Sequence, residues 1–229
     1  MSSPLYCKQL EIGPMQNYVY LFGDPETRDA AVVDAAWDIP AILDVAERDG
    51  YRITKNLVTH FHPDHLGGSL MGQQIAGALE LAGTAGVKSY IHKQEVPFVH
   101  RVSGLSDSDV VGVEGGDTTD VGRVRVTFLH TPGHTPGSQC FLVGNTCISG
   151  DTLFIGSCGR VDLPGSNPED MYRSLTDVLA KLPDETVLLP GHNYADRPRS
   201  TIGDEKRTNT MMRFKSMKDF LSLMSPLRV

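Results

Sequence analysis

The sequence predicts a mixed α/β (α+β) protein, one domain over residues 1–229. Three observations predict it. Segments of strand character and segments of helical character interleave along the whole chain. At 229 residues the chain is long enough to bury a sizeable core. No internal repeat, linker or low-complexity segment divides it.

The elements follow in order. Gln16 to Phe22, rich in Tyr and Val, reads as a strand, and Ala30 to Val33 as a second, with Asp24-Pro25 turning the chain between them. Asp38 caps a helix that tolerates an early Pro40, presents Ile42, Val45 and Ala46 on one face, and ends at Gly50. Asn56 to Thr59 is a short strand running into a histidine cluster. Gly67 to Gly86, rich in glycine and alanine, reads as a helix followed by a loop. Val87 to Ile91 is a strand, Glu95 to His100 one helical turn, and the polar stretch Ser103 to Gly116 a loop. Val124 to Leu129 is a strand. Ser138 to Val143 and Thr146 to Ser149 form a hairpin about Gly144-Asn145. Asn167-Pro168-Glu169-Asp170 starts a helix with a cap, a proline at the first position and acids in the first turn. That helix runs to about Leu182. Thr186 to Leu189 is a strand, and Thr208 to Met224 a helix within a short C-terminal helical segment (about 204–225).

Composition excludes several classes. A net charge of −7, a pI of about 5.6 and the lack of any Lys/Arg run argue against a nucleic-acid binder. No apolar stretch approaches the roughly 20 residues of a spanning helix, and Met1 to Gly13 does not read as a signal peptide. The expectation is a cytoplasmic protein without membrane attachment. Cys7, Cys140, Cys147 and Cys158 lack C-x-x-C spacing. Cys140 and Cys147 lie in strand-like segments and read as buried free thiols.

The chemistry concentrates in His60-Phe61-His62-Pro63-Asp64-His65. In an extended segment His60 and His62 point to one side, and Pro63 keeps His62 extended. The turn that follows can present Asp64 and His65 to a second point nearby. Imidazole and carboxylate donors suit zinc, iron or manganese, whereas calcium would want oxygens only. Three later segments repeat one design, an apolar strand followed by glycine and a metal-type residue. They deliver His134 (Thr131-Pro132-Gly133-His134), Asp151 (Ser149-Gly150-Asp151) and His192 (Leu189-Pro190-Gly191-His192). Seven donors suffice for two metals.

This pattern resembles the metallo-β-lactamase superfamily, and within it the glyoxalase II branch, from about Gln16 to Asn209. The resemblance implies a four-layer αβ/βα sandwich of two mixed β-sheets. Carried over by position, it implies that His60, His62 and His134 hold the first metal, that Asp64, His65 and His192 hold the second, and that Asp151 bridges them. Asp34 matches the family's early Asp, which supports the site from behind the ligands. Asp64 would also orient a hydroxide formed from a water shared by two divalent ions, zinc foremost, for attack on a thioester. Arg160, in Ser157-Cys158-Gly159-Arg160, resembles a branch segment, and three roles stay open for it: binding a substrate carboxylate, bracing the loop over the site, or a structural salt bridge. Tyr194 matches a Tyr that contacts the substrate's thiol moiety, with a buried core tyrosine as the alternative.

The resemblance also ranks the activities. Glyoxalase II proper carries a helical extension that recognises glutathione, and only about 35 residues follow Tyr194 here. Ser200 to Asn209 resembles the tail of persulfide dioxygenases, which bind one iron through residues matching His60, His134 and Asp151. Pro63-Asp64-His65-Leu66-Gly67-Gly68 is more similar to hydrolases. Asn17-Tyr18-Val19-Tyr20 and Asp34-Ala35-Ala36-Trp37 resemble small thioester hydrolases that act on carrier-linked acyl groups. Thioester hydrolase therefore ranks first and persulfide dioxygenase second. Both imply a small thiol-derived substrate, glutathione- or carrier-linked. Oligomeric state is not legible.

Overall fold

The computed structural model describes residues 5–224. Residues 1–4, within the segment read for a leader, and position 225, the expected end of the helical tail, lie outside them. The N-terminal half runs β1 (Tyr6–Ile12), β2 (Asn17–Gly23), β3 (Asp29–Val33), α1 (Ile39–Arg48), β4 (Arg52–Leu57), α2 (Pro63–Leu66), β5 (Gly68–Leu70), β6 (Gln73–Ile75), α3 (Ala78–Ala85), β7 (Ser89–His92), α4 (Val96–Ser103) and β8 (Val110–Val113). The second half runs β9 (Thr118–Val121), β10 (Val124–His130), β11 (Gln139–Val143), β12 (Thr146–Gly150), β13 (Leu153–Phe154), β14 (Ser157–Cys158), α5 (Pro168–Arg173), β15 (Val187–Pro190), β16 (Ser200–Thr201), α6 (Ile202–Thr208) and α7 (Met217–Met224).

Two six-stranded sheets result, in the orders β1-β2-β3-β4-β7-β8 and β16-β15-β12-β11-β10-β9. Both are mixed: β3, β4, β7 and β8 run parallel, as do β12 and β15, and the other pairs are antiparallel. The side-chain period of 2 explains the layering. Along β2, Tyr18, Tyr20 and Phe22 point to one face and pack with Val126, Phe128, Phe141 and Ile148 of the other sheet. Val19 and Leu21 point the opposite way, onto Ile39, Ile42 and Ala46 of α1 and Leu81 of α3. The second sheet does the same: Cys140, Cys147 and Leu188 face Met171, Ile202 and Phe220 of α5, α6 and α7. The molecule is thus the expected four-layer αβ/βα sandwich.

Eight strands predicted from sequence are the eight interior strands of the two sheets, although β4 begins at Arg52 rather than Asn56. The strands missed in those sheets, β1, β8, β9 and β16, are their four edges. Interior strands such as β2 and β11 are covered on both faces and show apolar runs, whereas an edge such as β1 is only half-buried and carries Lys8, Gln9 and Glu11. The expected loop Ser103 to Gly116 therefore contains β8. Gly67 to Gly86 reverses the expected order, a β5–β6 hairpin preceding α3. Met71 (φ 50°) and Gly72 (φ 83°) make its turn, and a methionine is an unusual residue for a left-handed turn position. The helix capped by Asn167 does reach Lys181, through a π-turn at Ser174–Val178 and a 3-10 turn. The single helix expected over Thr208 to Met224 is instead broken: α6 ends at Thr208, a 3-10 turn covers Met211–Arg213, and α7 begins at Met217. The Asn209 side chain explains the break, since it turns away to bind the backbone of β13–β14.

Among the described residues no helix is long and apolar enough to cross a membrane. All four cysteines are free, with Cys7 exposed and Cys140, Cys147 and Cys158 buried. Burial pushes the Cys158 thiol up to about 12. A thiol-specific reagent should accordingly label one cysteine per folded chain, and Cys7→Ser should abolish that labelling. Rapid labelling of a second thiol before unfolding would contradict the packing described.

Candidate metal centre

The two sheets deliver their strand ends to one place. Asp34 follows β3 and His60 follows β4, and these strands are parallel. The strands β10, β12 and β15, which precede His134, Asp151 and His192, share one direction through the antiparallel β11. Backbone hydrogen bonds tie the ends together. Gly191 N donates to Gly150 O (2.9 Å), Tyr18 N to Gly191 O (2.8 Å), and Gln139 N to Thr59 O (3.0 Å), the last two joining one sheet to the other. Gly191 and Gly159 are required by close approach, because a Cβ on either would strike Asp151.

All seven sequence-predicted donors converge. His60, His62 and His134 form one cluster, and Asp64, His65 and His192 another. A third grouping, His60, His65 and Asp151, lies between them. Within the first cluster, His62 Nδ1 lies 3.1 Å from His60 Nε2 and 3.0 Å from His134 Nε2. Within the second, His65 Nε2 lies 3.1 Å from His192 Nε2 and 3.3 Å from Asp64 Oδ2. Asp151 straddles the two. Its Oδ1 is 3.3 Å from His65 and 3.4 Å from His192, while its Oδ2 is 3.6 Å from His134.

The outer hydrogen bonds decide where the imidazole protons sit. His134 Nδ1 donates to Arg160 O (2.8 Å) and His192 Nδ1 to Met15 O (3.0 Å). His65 Nδ1 donates to Asp34 Oδ2 (2.9 Å). The Thr59 hydroxyl spends its one proton on Asp34 Oδ2 (2.7 Å), so it accepts from His60 Nδ1 (3.0 Å). When neutral, each of these four rings therefore turns a bare Nε2 inward. Asp34 holds two of them, one through Thr59, from a backbone at φ 56°.

Ring nitrogens that face one another 3.0–3.1 Å apart need a proton or a cation between them. Ligands about 2.0–2.1 Å from a tetrahedral ion lie about 3.3 Å apart, close to the spacing seen. Protons are a poor substitute in the first cluster. Burial, with the neighbouring imidazoles, holds His60 well below its ordinary range, and burial with His134 and His65 brings His62 down to about 4. In the second cluster burial opposes charge on His65, but Asp64, Asp151 and Asp34 outweigh it and raise its pKa. Asp64 is held well below the carboxylate range, and Asp151 at about 2, by the same imidazoles against the pull of burial. Asp151 Oδ1 is buried without a hydrogen-bond partner. Nitrogen and carboxylate donors facing one another in this way fit divalent metal ions.

The remaining predicted residues divide. Asp34 lies behind the donors, against Thr59 and His65. Arg160 reaches the centre through its carbonyl oxygen; its guanidinium pairs with Asp162 (2.8 Å), the structural salt bridge among its three open roles. Tyr194 is 57% exposed, which overturns the core alternative. Its ring stacks on His192 at 4.6 Å and meets Phe154 edge-on. Sequence reasoning missed Asn17, which is buried and donates through Nδ2 to Asp64 Oδ2 (3.0 Å). Trp37 Nε1 donates to Asn17 Oδ1 (3.0 Å), and because indole can only donate, the amide orientation is fixed. A polar residue opening a fully buried strand was the available signal. It also missed Asn209 and the buried Glu205, which brace the β13–β14 turn ahead of Arg160.

The family model described as metallo-beta-lactamase superfamily matches residues 12–192. A hydroxyacylglutathione hydrolase of Maricaulis maris is 36% identical over 182 residues, 79% of this chain and 63% of that protein. The mitochondrial persulfide dioxygenase ETHE1 of Bos taurus is 28% identical over 236 residues, 99% of this chain and 83% of that protein. The crystal structure of ETHE1 from Myxococcus xanthus aligns with a TM-score of 0.83 at 31% identity, covering 98% of this chain and 92% of that one. With that match running from the end of β1 to His192, and with the sandwich around it, the chain belongs to the metallo-beta-lactamase superfamily.

Proposed function

We propose that this protein is a dinuclear metal-dependent hydrolase that cleaves a thioester, of glutathione or of a carrier-linked thiol, with zinc as its metal. The observation that carries the reading is the carboxylate of Asp151 lying between two clusters of inward-facing donors. His60, His62 and His134 would hold one ion and Asp64, His65 and His192 the other. Ions bound there lower the pKa of a water and polarise a carbonyl oxygen.

The chain's own residues do the rest. Asp64 keeps its ionised form, so it can bind and still accept a hydrogen bond from the attacking oxygen. Asn17, locked by Trp37, keeps that carboxylate from rotating. The Asp34–Thr59 pair keeps His60 and His65 in their productive tautomers. A thiolate leaves without protonation, so no general acid is demanded. Tyr194, open on the rim beside Phe154, would contact the thiol moiety.

A second reading rests on the likeness to ETHE1, which extends over nearly the whole chain. It is a mononuclear iron persulfide dioxygenase using His60, His134 and Asp151, two histidines and a carboxylate. Turnover separates the two. The first predicts hydrolysis of a lactoyl- or acetyl-thioester by zinc-loaded protein, with no oxygen uptake on glutathione persulfide. Oxygen uptake by iron-loaded protein without thioester cleavage would replace it with the second.

Two further outcomes are expected. Asp34→Ala should weaken metal binding by about 10- to 100-fold while the chain stays folded, measured by competition with a chelating dye; unchanged affinity would contradict the role given to Asp34. Acid should act differently on the two clusters. In the first, His62 stays deprotonated until the pH falls toward about 4. His65, with its pKa raised, holds a proton that a metal must displace. Zinc binding at pH 7 should therefore release about one proton per chain from the second cluster, read by calorimetry in buffers of different ionisation enthalpy.

A further inference from the structure

Glu95 is fully buried and has no part in the chemistry above. It stands immediately before α4, and its two oxygens go to two different loops. Oε2 accepts from Phe61 N at 2.7 Å, and Oε1 accepts from Gly137 N at 2.6 Å. Phe61 is the residue between His60 and His62. Gly137 closes the turn that carries His134. The first loop leaves the end of β4 in one sheet, and the second leaves β10 in the other. One turn further along α4, Phe98 stacks on the Phe61 ring at 4.8 Å, so the helix grips this loop twice.

A carboxylate is suited to this place because it accepts at both ends. A carboxamide offers one acceptor and one donor, which would leave one backbone N–H facing another donor. The arrangement is costly to keep. Burial pushes the Glu95 carboxyl up to about 7, and the two backbone N–H groups only partly offset this. The same contact leaves no room for a side chain at position 137, where a Cβ would strike Glu95.

We infer that Glu95 is a positioning residue that sets the separation of the His60–His62 and His134 loops and so preassembles the first metal position. This rests on reading those three histidines as one metal site, and the test keeps the two apart. Zinc is titrated into the metal-free full-length chain against a chelating dye, with cobalt(II) absorption as a second readout. Glu95→Gln should lose about 10- to 100-fold in affinity at one site only, the site that His62→Ala removes. Leu81→Ala, which destabilises the helix layer away from the loops, should leave both affinities unchanged. Should Glu95→Gln fail to fold, Glu95→Asp, which keeps the charge and shortens the reach by one methylene, should give the same one-site loss. Two-site binding in the wild type with unchanged affinities in the Glu95 variant overturns this inference alone, as does a loss spread evenly over both sites. A wild-type chain that binds no zinc overturns the metal reading with it.

Discussion

Imidazoles can crowd together inside a protein only if each hands its proton outward. His60, His65, His134 and His192 do so, to Thr59, Asp34, and the carbonyls of Arg160 and Met15. Every other property of the centre depends on that constraint. When those four rings are neutral their inward nitrogens are acceptors, and Asp64 and Asp151 add negative charge to the same space. Such a cluster is unfavourable as it stands and becomes favourable around cations. The acceptors that anchor the rings come from four separate segments, so the centre exists only when both sheets are complete.

The sandwich meets this demand through strand direction. Parallel neighbours in each sheet send their carboxyl ends the same way, and the inter-sheet core of Tyr20, Phe22, Phe128 and Phe141 holds those ends opposite one another. The loops that carry the donors are short and are held by backbone bonds at both ends, as at Gly191 and Thr59. Rigidity of this kind keeps the inward nitrogens about 3 Å apart. The rim is different in character: Tyr194 is exposed and aromatic, suited to a substrate that comes and goes.

How much was legible in the sequence follows from what each residue does. The donors were legible because H-x-H-x-D-H is dense, and because each later donor follows an apolar strand that announces itself. The interior strands were legible for the same reason, being buried on both faces. Edges such as β1 and β9 carry mixed polar and apolar residues, and β8, apolar but four residues long, was lost in a polar stretch that read as a loop. Asn17 and Glu95 were missed for another reason. Their importance lies in partners far away in sequence, Asp64 and Trp37 for one, Phe61 and Gly137 for the other, and no local spacing encodes such a pairing. Arg160 was picked out for its charge, whereas its carbonyl is the part that reaches the centre.

The central claim is that the seven donors are two metal positions sharing Asp151. The most direct measurement is metal content per chain combined with anomalous diffraction from crystals of protein purified without chelator. The account predicts two anomalous peaks, one among His60, His62 and His134 and one among Asp64, His65 and His192, with Asp151 touching both. A single peak bound by His60, His134 and Asp151, or a chain without metal, would contradict it.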